Sequence, residues 1–181
     1  MGARWMVHKL AGVVLILQFL GFSVFAQTGD GRRVDNLKAV FLYNFIQYIK
    51  WPDVDNPAPF VIDVLGDSGI TVPLQGVARM RTVGTRKLAV TVQKTVREPV
   101  GTCHILFVSV SMADRLPEIY EQTKDTCVLT VGDTPGFAHK GVAINFVVVK
   151  GKLKFEINLK ALEYAGLQAS SHLLKLGILV E

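Results

Sequence analysis

The sequence predicts an α/β fold: a three-layer sandwich with a mostly parallel central sheet, a C-terminal antiparallel hairpin and flanking helices. Continuous apolar runs, such as FVIDVL at Phe60–Leu65 and CVLTV at 127–131, are typical of strands buried on both faces. These runs alternate with amphipathic helical patterns, and that alternation is typical of parallel sheets. Two further apolar runs flank Lys150-Gly151-Lys152, and a short glycine turn between strands predicts the hairpin.

The remaining elements follow from apolar periodicity and from helix-breaking residues. Residues 27–33 are polar and contain glycine, so we expect a flexible segment there. The first helix should end before Trp51, because Pro52 disfavours helical geometry in the residue that precedes it. Ser170 or Ser171 is the expected N-cap of the closing helix, and Gly177 is placed to cap its end. Helices are predicted from Val34 and at 70–80, 113–124, 160–165 and 170–176, and strands at 60–65, 88–92, 104–110, 127–131, 142–149, 153–159 and 178–180.

The N-terminus has the pattern of a secretory signal peptide. Arg4 and Lys9 precede an apolar stretch at 10–26 that closes on Val-Phe-Ala, and no acidic residue occurs before Asp30. We predict cleavage after Ala26, which leaves residues 27–181 as a single exported domain. An uncleaved membrane anchor is the alternative, since the stretch is near the lower length limit for spanning a bilayer.

Charge argues against nucleic acid as a partner. The chain of 181 residues has a net charge of +5, with 20 basic and 15 acidic side chains. Loss of Arg4 and Lys9 with the signal peptide would reduce that to 18 basic against 15 acidic, or +3. No run of Lys or Arg is dense enough for a phosphate-binding stripe.

Hydrophobic residues make up 50% of the chain, which is compatible with a homodimer.

The two cysteines, Cys103 and Cys127, both follow the signal segment and would face an oxidising compartment. Each stands at the start of a predicted strand. If those strands are parallel neighbours, the two residues lie near one edge of the sheet and can form a disulfide. The alternative is a pair of buried thiols that act as small apolar residues. Neither cysteine has a histidine pair at the spacing of zinc ligands.

The loop at 132–136, Gly-Asp-Thr-Pro-Gly, invites comparison with phosphate-binding loops. It lacks the lysine and spacing of GxxxxGK[ST], and it lacks GxGxxG. Glycine and proline in this arrangement are typical of a turn, so we interpret the loop as structural and expect no cofactor.

The sequence contains no recognisable catalytic constellation, and we do not expect an enzyme. His104 lies in an apolar strand, His139 is expected to be solvated, and Ser171 and His172 point to different sides of a helix. A hydrolase site formed only in space stays open. Asp67 and Asp133 both follow strands, where ligands of α/β folds bind. Together with Phe137 they define a candidate pocket, so a small-molecule sensor is the alternative function.

Seven segments spread over the chain carry a family resemblance. In order and spacing they are similar to the YfiR family of small exported bacterial proteins. The segments are KAVFLYNFIQYIKWP (38–52), FVIDVLGD (60–67), CHILFVS (103–109), VLTVGDTPGFA (128–138), INFV (144–147), KFEINLKALEYAGL (154–167) and SSHLLKL (170–176).

The resemblance implies a periplasmic regulator. Proteins that resemble YfiR bind the periplasmic sensor part of an inner-membrane diguanylate cyclase and hold it inactive, which lowers cyclic-di-GMP signalling and biofilm formation. An outer-membrane lipoprotein relieves this repression by sequestering the repressor. The resemblance points to the C-terminal segment as the partner-binding surface, around Leu159, Leu162, Ala169 and Leu174. Glu156, on the polar face of an alternating strand, is a further candidate.

Overall fold

The computed structural model describes residues 27–52, 58–96 and 103–180, with the backbone alone for residues 27–30. By contacts the chain divides into two units, Met1–Val34 and Asp35–Glu181. In the first unit, the described part is the beginning of the first helix. The predicted signal peptide and its cleavage site lie outside the described residues. None of the described helices has both the length and the apolar character needed to cross a bilayer.

Helices and strands alternate along the described chain. The helices are α1 (Gln27–Tyr48), α2 (Thr71–Met80), α3 (Leu116–Thr123), α4 (Leu159–Tyr164) and α5 (Ser171–Leu176), with 3₁₀ turns at Val110–Arg115 and Ala138–Lys140. The strands are β1 (Ile49–Lys50), β2 (Phe60–Leu65), β3 (Thr82–Val83), β4 (Arg86–Gln93), β5 (Ile105–Val108), β6 (Leu129–Gly132), β7 (Ile144–Val149), β8 (Lys152–Asn158), β9 (Gln168–Ala169) and β10 (Ile178–Val180).

Within the described residues the central sheet has eight strands in the order β10-β8-β7-β6-β5-β2-β4-β3. The strands from β7 to β4 in this order are mutually parallel. Strand β8 pairs with β7 in antiparallel register, with Phe146 opposite Phe155, and β3 is antiparallel to β4. The short strands β1 and β9 form a separate antiparallel pair. The predicted α/β class, the mostly parallel sheet and the C-terminal hairpin are confirmed.

Side chains alternate between the two faces of the sheet and separate the core into two apolar clusters. Ile105 and Phe107 of β5 belong to the larger cluster, together with buried residues of α1, α2, α4 and α5. Leu106 and Val108 belong to the smaller cluster, which α3 covers. Helices therefore cover both faces, as expected for a three-layer sandwich.

The contact between α1 and the hairpin is aromatic. The Phe45 ring centroid lies 5.8 Å from that of Phe146 and 5.2 Å from that of Phe155, and Phe41 lies about one turn earlier on the same helix face. Phe45 is 1% exposed. Burying a phenylalanine side chain stabilises a fold by about 2–3 kcal/mol, so this contact is a main attachment of α1 to the sheet.

One local expectation was wrong. Residues 27–33, predicted to be flexible, are helical, because α1 begins at Gln27 and ends at Tyr48. The helix predicted at 113–124 is also observed, and its regular part begins at Leu116 after a 3₁₀ turn, the late start that Pro117 predicts. Proline is tolerated in the first turn but lacks the N–H that a helix interior needs, which explains the late start. The pairs β1–β9 and β3–β4 contain two-residue strands that no periodicity reveals.

The glycine-bearing loops are turns, as predicted. The Phe137 N–H donates to the Thr134 carbonyl at 3.1 Å, and Gly136 has a φ of +83°, which favours glycine. At the hairpin tip, Lys150 and Gly151 have φ values of +51° and +72°, as in the two-residue turns that match strand twist.

Candidate functional site

A shallow groove of about 460 Å³ opens in the C-terminal segment. Its walls come from α4, the turn after α4, strand β9 and helix α5. Four of the five residues predicted as partner contacts line it, although they are spread over 16 positions of sequence. The lining residues of this C-terminal groove are Leu159, Leu162, Glu163, Gly166, Leu167, Gln168, Ala169 and Leu174.

Asn158 sets the position of α4. Its side-chain Oδ1 accepts a hydrogen bond from the Ala161 N–H at 2.9 Å, which makes Asn158 the N-cap of the helix. Its Nδ2 donates to the backbone oxygen of Ala138 at 2.7 Å. Because both polar atoms are engaged and the residue is buried, the start of α4 is tied to the 3₁₀ turn before β7.

The turn after α4 directs the chain back along the groove. Gly166 has a φ of +67°, a left-handed conformation that glycine adopts without strain. Its N–H donates to the Glu163 carbonyl, and the Leu167 N–H donates to the Leu162 carbonyl, both at 2.9 Å. These bonds satisfy carbonyls at the helix end and turn Leu167 inward, where it is 3% exposed.

Strand β9 and helix α5 complete the groove. Ala169 pairs with Ile49 of β1, and the Ser170 N–H donates to the Tyr48 carbonyl at 2.8 Å. The Ser170 Oγ then accepts from the Leu173 N–H at 3.3 Å, which confirms Ser170 as the N-cap of α5. The groove is therefore fastened at its far side to the end of α1.

The groove has an apolar floor and a more exposed rim. Leu162 is 3% exposed and forms part of the floor, whereas Leu159 is 42% exposed and stands at the rim. The side chains of Glu163 and Gln168 supply polar groups in the exposed wall. Buried apolar surface within a polar rim is the usual composition of protein–protein interfaces, so the groove can accept an apolar side chain of a partner.

Glu156, the fifth predicted contact, is not among the groove-lining residues. Its neighbours on β8, Phe155 and Ile157, face the larger apolar cluster, so Glu156 points to the other face of the sheet. There its Oε2 accepts from the Asn145 Nδ2 at 3.0 Å. The structure thus separates Glu156 from the four other residues.

The three residues of the predicted strand-end pocket lie in different surroundings. The side chain of Asp67 is exposed, and its backbone N–H donates to the Ser111 Oγ at 3.1 Å. Asp133 forms an ion pair with Lys38, with Nζ to Oδ2 at 2.7 Å. Phe137 is 1% exposed and packs in the smaller apolar cluster. Strand β5 lies between β2 and β6, so the two aspartates stand about 10 Å apart in the sheet direction.

Both cysteines are thiols in the structure. Residues 105 and 129 are paired in the β5–β6 register, so Cys103 and Cys127 stand at equivalent positions before these strands. Cys103 packs in the smaller cluster, whereas Cys127 packs against the larger one. Cys127 has a φ of +58°, and this left-handed backbone accounts for its different direction. The disulfide stays a prediction.

Burial raises the pKa of the Cys103 thiol from its ordinary value of 9.0 to about 12, with a smaller contribution from the negative charge of Asp63. A thiol held protonated in this way is a poor nucleophile and a poor metal ligand. Within the described residues, no three His, Cys, Asp or Glu side chains are arranged to hold a metal ion.

Sequence reasoning missed half of the groove. Glu163 lies four residues after Leu159, and Gly166 lies four residues after Leu162, which is the helical spacing that could have found them. Leu167 and Gln168 lie beyond the helix end, and their place depends on the left-handed turn at Gly166.

Comparisons with known proteins agree with this architecture. A search of curated proteins finds no match. A crystal structure of a conserved domain protein from Vibrio cholerae O1 biovar El Tor strain N16961 is similar, with a TM-score of 0.57 and 9% sequence identity. The alignment covers 81% of this chain and 60% of that one, so the chain spans less than two thirds of the length of this structural relative. At this identity the likeness concerns the fold alone.

The YfiR/HmsC-like family model matches residues 35–178. That range begins in α1, ends at the first residue of β10 and includes every residue of the C-terminal groove. On this match the chain belongs to the YfiR/HmsC-like family.

Proposed function

We propose that this chain binds the periplasmic sensor domain of an inner-membrane diguanylate cyclase and represses the enzyme. Repression lowers cyclic-di-GMP signalling and biofilm formation. The C-terminal groove is the proposed contact surface, with Leu159, Leu162, Ala169 and Leu174 as the residues that meet the partner.

The observation that carries this proposal is the family match over residues 35–178. YfiR/HmsC-like proteins are periplasmic regulators of diguanylate cyclase signalling, and the family is regulatory rather than catalytic.

Groove geometry supports the choice of surface. Leu159 and Leu174 are accessible, Leu162 forms the floor, and backbone hydrogen bonds on both sides hold the walls in place. A pre-organised apolar groove loses little conformational entropy on binding, which favours recognition of a protruding apolar side chain.

The test measures cyclic-di-GMP in the bacterium from which the gene comes. Deletion of the gene should raise the nucleotide level, and the full-length gene should restore it. Purified protein immobilised as bait should retain a solubilised membrane protein that carries a cyclase domain, identified by mass spectrometry. Unchanged cyclic-di-GMP after deletion, together with no cyclase retained by a well-folded protein, contradicts the proposal.

A matched pair of variants locates the surface. Leu159→Glu puts a charge on the groove rim and should abolish both complementation and retention. Val72→Glu is the control, because Val72 is 72% exposed on α2 and does not line the groove. Equal loss in both variants would speak against the groove.

An outer-membrane lipoprotein that sequesters the repressor, and a homodimer, belong to the same proposal. The homodimer has some support from exposed apolar residues of the C-terminal edge, since Leu176, Ile178 and Leu179 are 51%, 41% and 51% exposed. Light scattering on the purified protein tests it, and a monomer at high concentration would exclude it.

The alternative, a small-molecule sensor with its ligand at Asp67, Asp133 and Phe137, has less support. Asp133 is paired with Lys38, and Phe137 is buried. A ligand there would have to displace an ion pair and open an apolar cluster.

A further inference from the structure

A second cavity, of about 280 Å³, lies on the other side of α4. Its walls come from α3, the 3₁₀ turn at Ala138–Lys140 and α4. The lining residues, which together define the basic pocket, are Tyr120, His139, Lys140, Gly141, Asn158, Lys160, Ala161 and Tyr164.

The charged side chains that line the basic pocket are all basic. Lys140, Lys160 and His139 line it, and its lining includes no carboxylate. The ion pairs found in the described part of the chain engage other basic residues, and none involves Lys140 or Lys160. Lysines without a carboxylate partner create a positive potential in a concave site, and such a site concentrates anions.

Two tyrosine rings give the pocket flat walls. Tyr120, on α3, lies directly against Gly141, because a Cβ atom at position 141 would come within 2.5 Å of the ring. Gly141 also has a φ of +96°, so this position suits glycine both sterically and conformationally. Tyr164, on α4, is 52% exposed and leaves its ring available for stacking.

The polar atoms of Asn158 do not need a ligand, because both are bonded within the protein. Recognition therefore depends on the basic side chains and the aromatic rings. Tyrosine rings beside lysines match a molecule that combines a planar ring with a negative group. Since the volume is near the lower end for ligand sites, a molecule of one or two rings fits best.

We propose that the basic pocket binds a small aromatic anion, either a carboxylate or a phosphate ester. The ring stacks on the tyrosines, and the anionic group meets Lys140, Lys160 and His139. Helix α4 lines both cavities, with Leu159 and Leu162 in the groove and Lys160 and Tyr164 in the pocket. This site is distinct from the strand-end pocket, and its existence does not depend on the proposed repressor function.

Isothermal titration of the purified exported protein tests the ligand class with four probes. Benzoate and phenyl phosphate each combine a ring with an anion, benzamide keeps the ring without the charge, and cyclohexanecarboxylate keeps the charge without the planar ring. We expect at least one aromatic anion to bind about tenfold more tightly than both other probes, because a charge-assisted bond and stacking each contribute. The tighter of benzoate and phenyl phosphate identifies the anionic group.

Variants place the ligand in the pocket. Lys160→Glu should weaken the binding of the aromatic anion about tenfold. Lys87 is an exposed lysine on β4 at the far side of the sheet, so Lys87→Glu should leave the affinity for the anion unchanged. Tyr164→Leu should reduce the preference for benzoate over cyclohexanecarboxylate. The side chains of Lys160 and Tyr164 are exposed, so both pocket variants should remain folded, and thermal melting checks this.

Three outcomes would overturn the proposal: neither aromatic anion binds at millimolar concentration, benzamide binds equally well, or Lys160→Glu binds like the unaltered protein. These titrations contain no partner protein. Their failure is therefore separable from a failure of the cyclase experiments.

Discussion

The side chain of Asn158 donates from Nδ2 to the Ala138 carbonyl at 2.7 Å and so joins the start of α4 to the 3₁₀ turn before β7. The same side chain caps α4 through the Ala161 N–H. One buried amide therefore fixes the short helix that forms a wall of the C-terminal groove and a wall of the basic pocket. Any change that loosens this amide should alter both cavities together.

Asn158→Ala should lower the free energy of unfolding by about 1–3 kcal/mol, because it removes an N-cap and one of two hydrogen bonds to the Ala138 carbonyl, which keeps the Gly141 N–H at 3.3 Å. Chemical denaturation measures the change. Asn158→Asp separates the two effects, since a carboxylate keeps the cap acceptor and loses the donor. If Asn158→Ala costs less than about 1 kcal/mol, the amide does not hold α4 in the way described.

Gly141→Ala should cost about 2–4 kcal/mol, because alanine is strained at a φ of +96° and its Cβ would meet the Tyr120 ring at 2.5 Å. Gly136→Ala is a matched control. Gly136 also has a positive φ, of +83°, but no atom lies within 4 Å of the added Cβ. We expect Gly136→Ala to cost only about 1 kcal/mol. Equal losses of stability in the two variants would show that the Tyr120 contact contributes nothing.

The sequence was sufficient for the class of fold because its signals are local. Continuous apolar runs such as Phe60–Leu65 mark strands buried on both faces, and the alternation at Lys152–Asn158 marks the hairpin. Strands β1 and β9 are two residues long, too short for any period, and they form only because distant segments meet. The helical state of residues 27–33 was missed because polar residues with glycine score poorly by propensity.

The candidate site likewise combines residues that the sequence could identify with residues that only the fold brings together. Leu159 and Leu162 could be named before the structure, because the resemblance to the YfiR family points to their segment of the sequence. The ion pair between Lys38 and Asp133 could not, because it joins residues 95 positions apart. Likewise, His139 has the sequence neighbourhood of a solvated side chain. Only the packing of α3 and α4 brings it into a pocket with two tyrosines.

Lys38 and Asp133 should be energetically coupled. Their side chains are only 13% and 19% exposed, and Nζ lies 2.7 Å from Oδ2. Removing one partner leaves the other charge poorly solvated, so Lys38→Met and Asp133→Asn should each cost about 1–3 kcal/mol. Lys38→Met should be the more costly change, because Lys38 also contacts Asp35 at 3.4 Å.

A double-mutant cycle gives the coupling energy, and we expect about 1 kcal/mol or more for a pair this little exposed. Lys124 and Glu121 are the control pair, because their side chains are 40% and 62% exposed. Their coupling should be clearly smaller than that of Lys38 and Asp133, because solvent screens exposed charges. Equal coupling in the two pairs would mean that burial adds nothing to the Lys38 contact.

The two cysteines should react differently with a thiol reagent. Burial holds the pKa of Cys103 near 12, so its reactive thiolate is scarce at neutral pH. Cys127 is only half-buried and should be modified first. Mass spectrometry of the native protein after brief alkylation measures the order. If neither cysteine reacts until a reductant is added, the disulfide predicted from the sequence has formed.

The same thiol should make stability depend on alkaline pH. The folded pKa of Cys103 is raised from 9.0 to about 12, so between these values the unfolded chain loses its proton while the folded protein keeps it. The contribution of this thiol to the free energy of unfolding is therefore fully present below pH 9.0. It is lost as pH rises toward about 12. Denaturation at roughly pH 8 and pH 11 should show a smaller loss of stability in Cys103→Ala than in the unaltered protein. Cys127→Ala is the control, and it should keep the full loss. A loss that is equal in all three proteins would assign the alkaline destabilisation to groups other than Cys103.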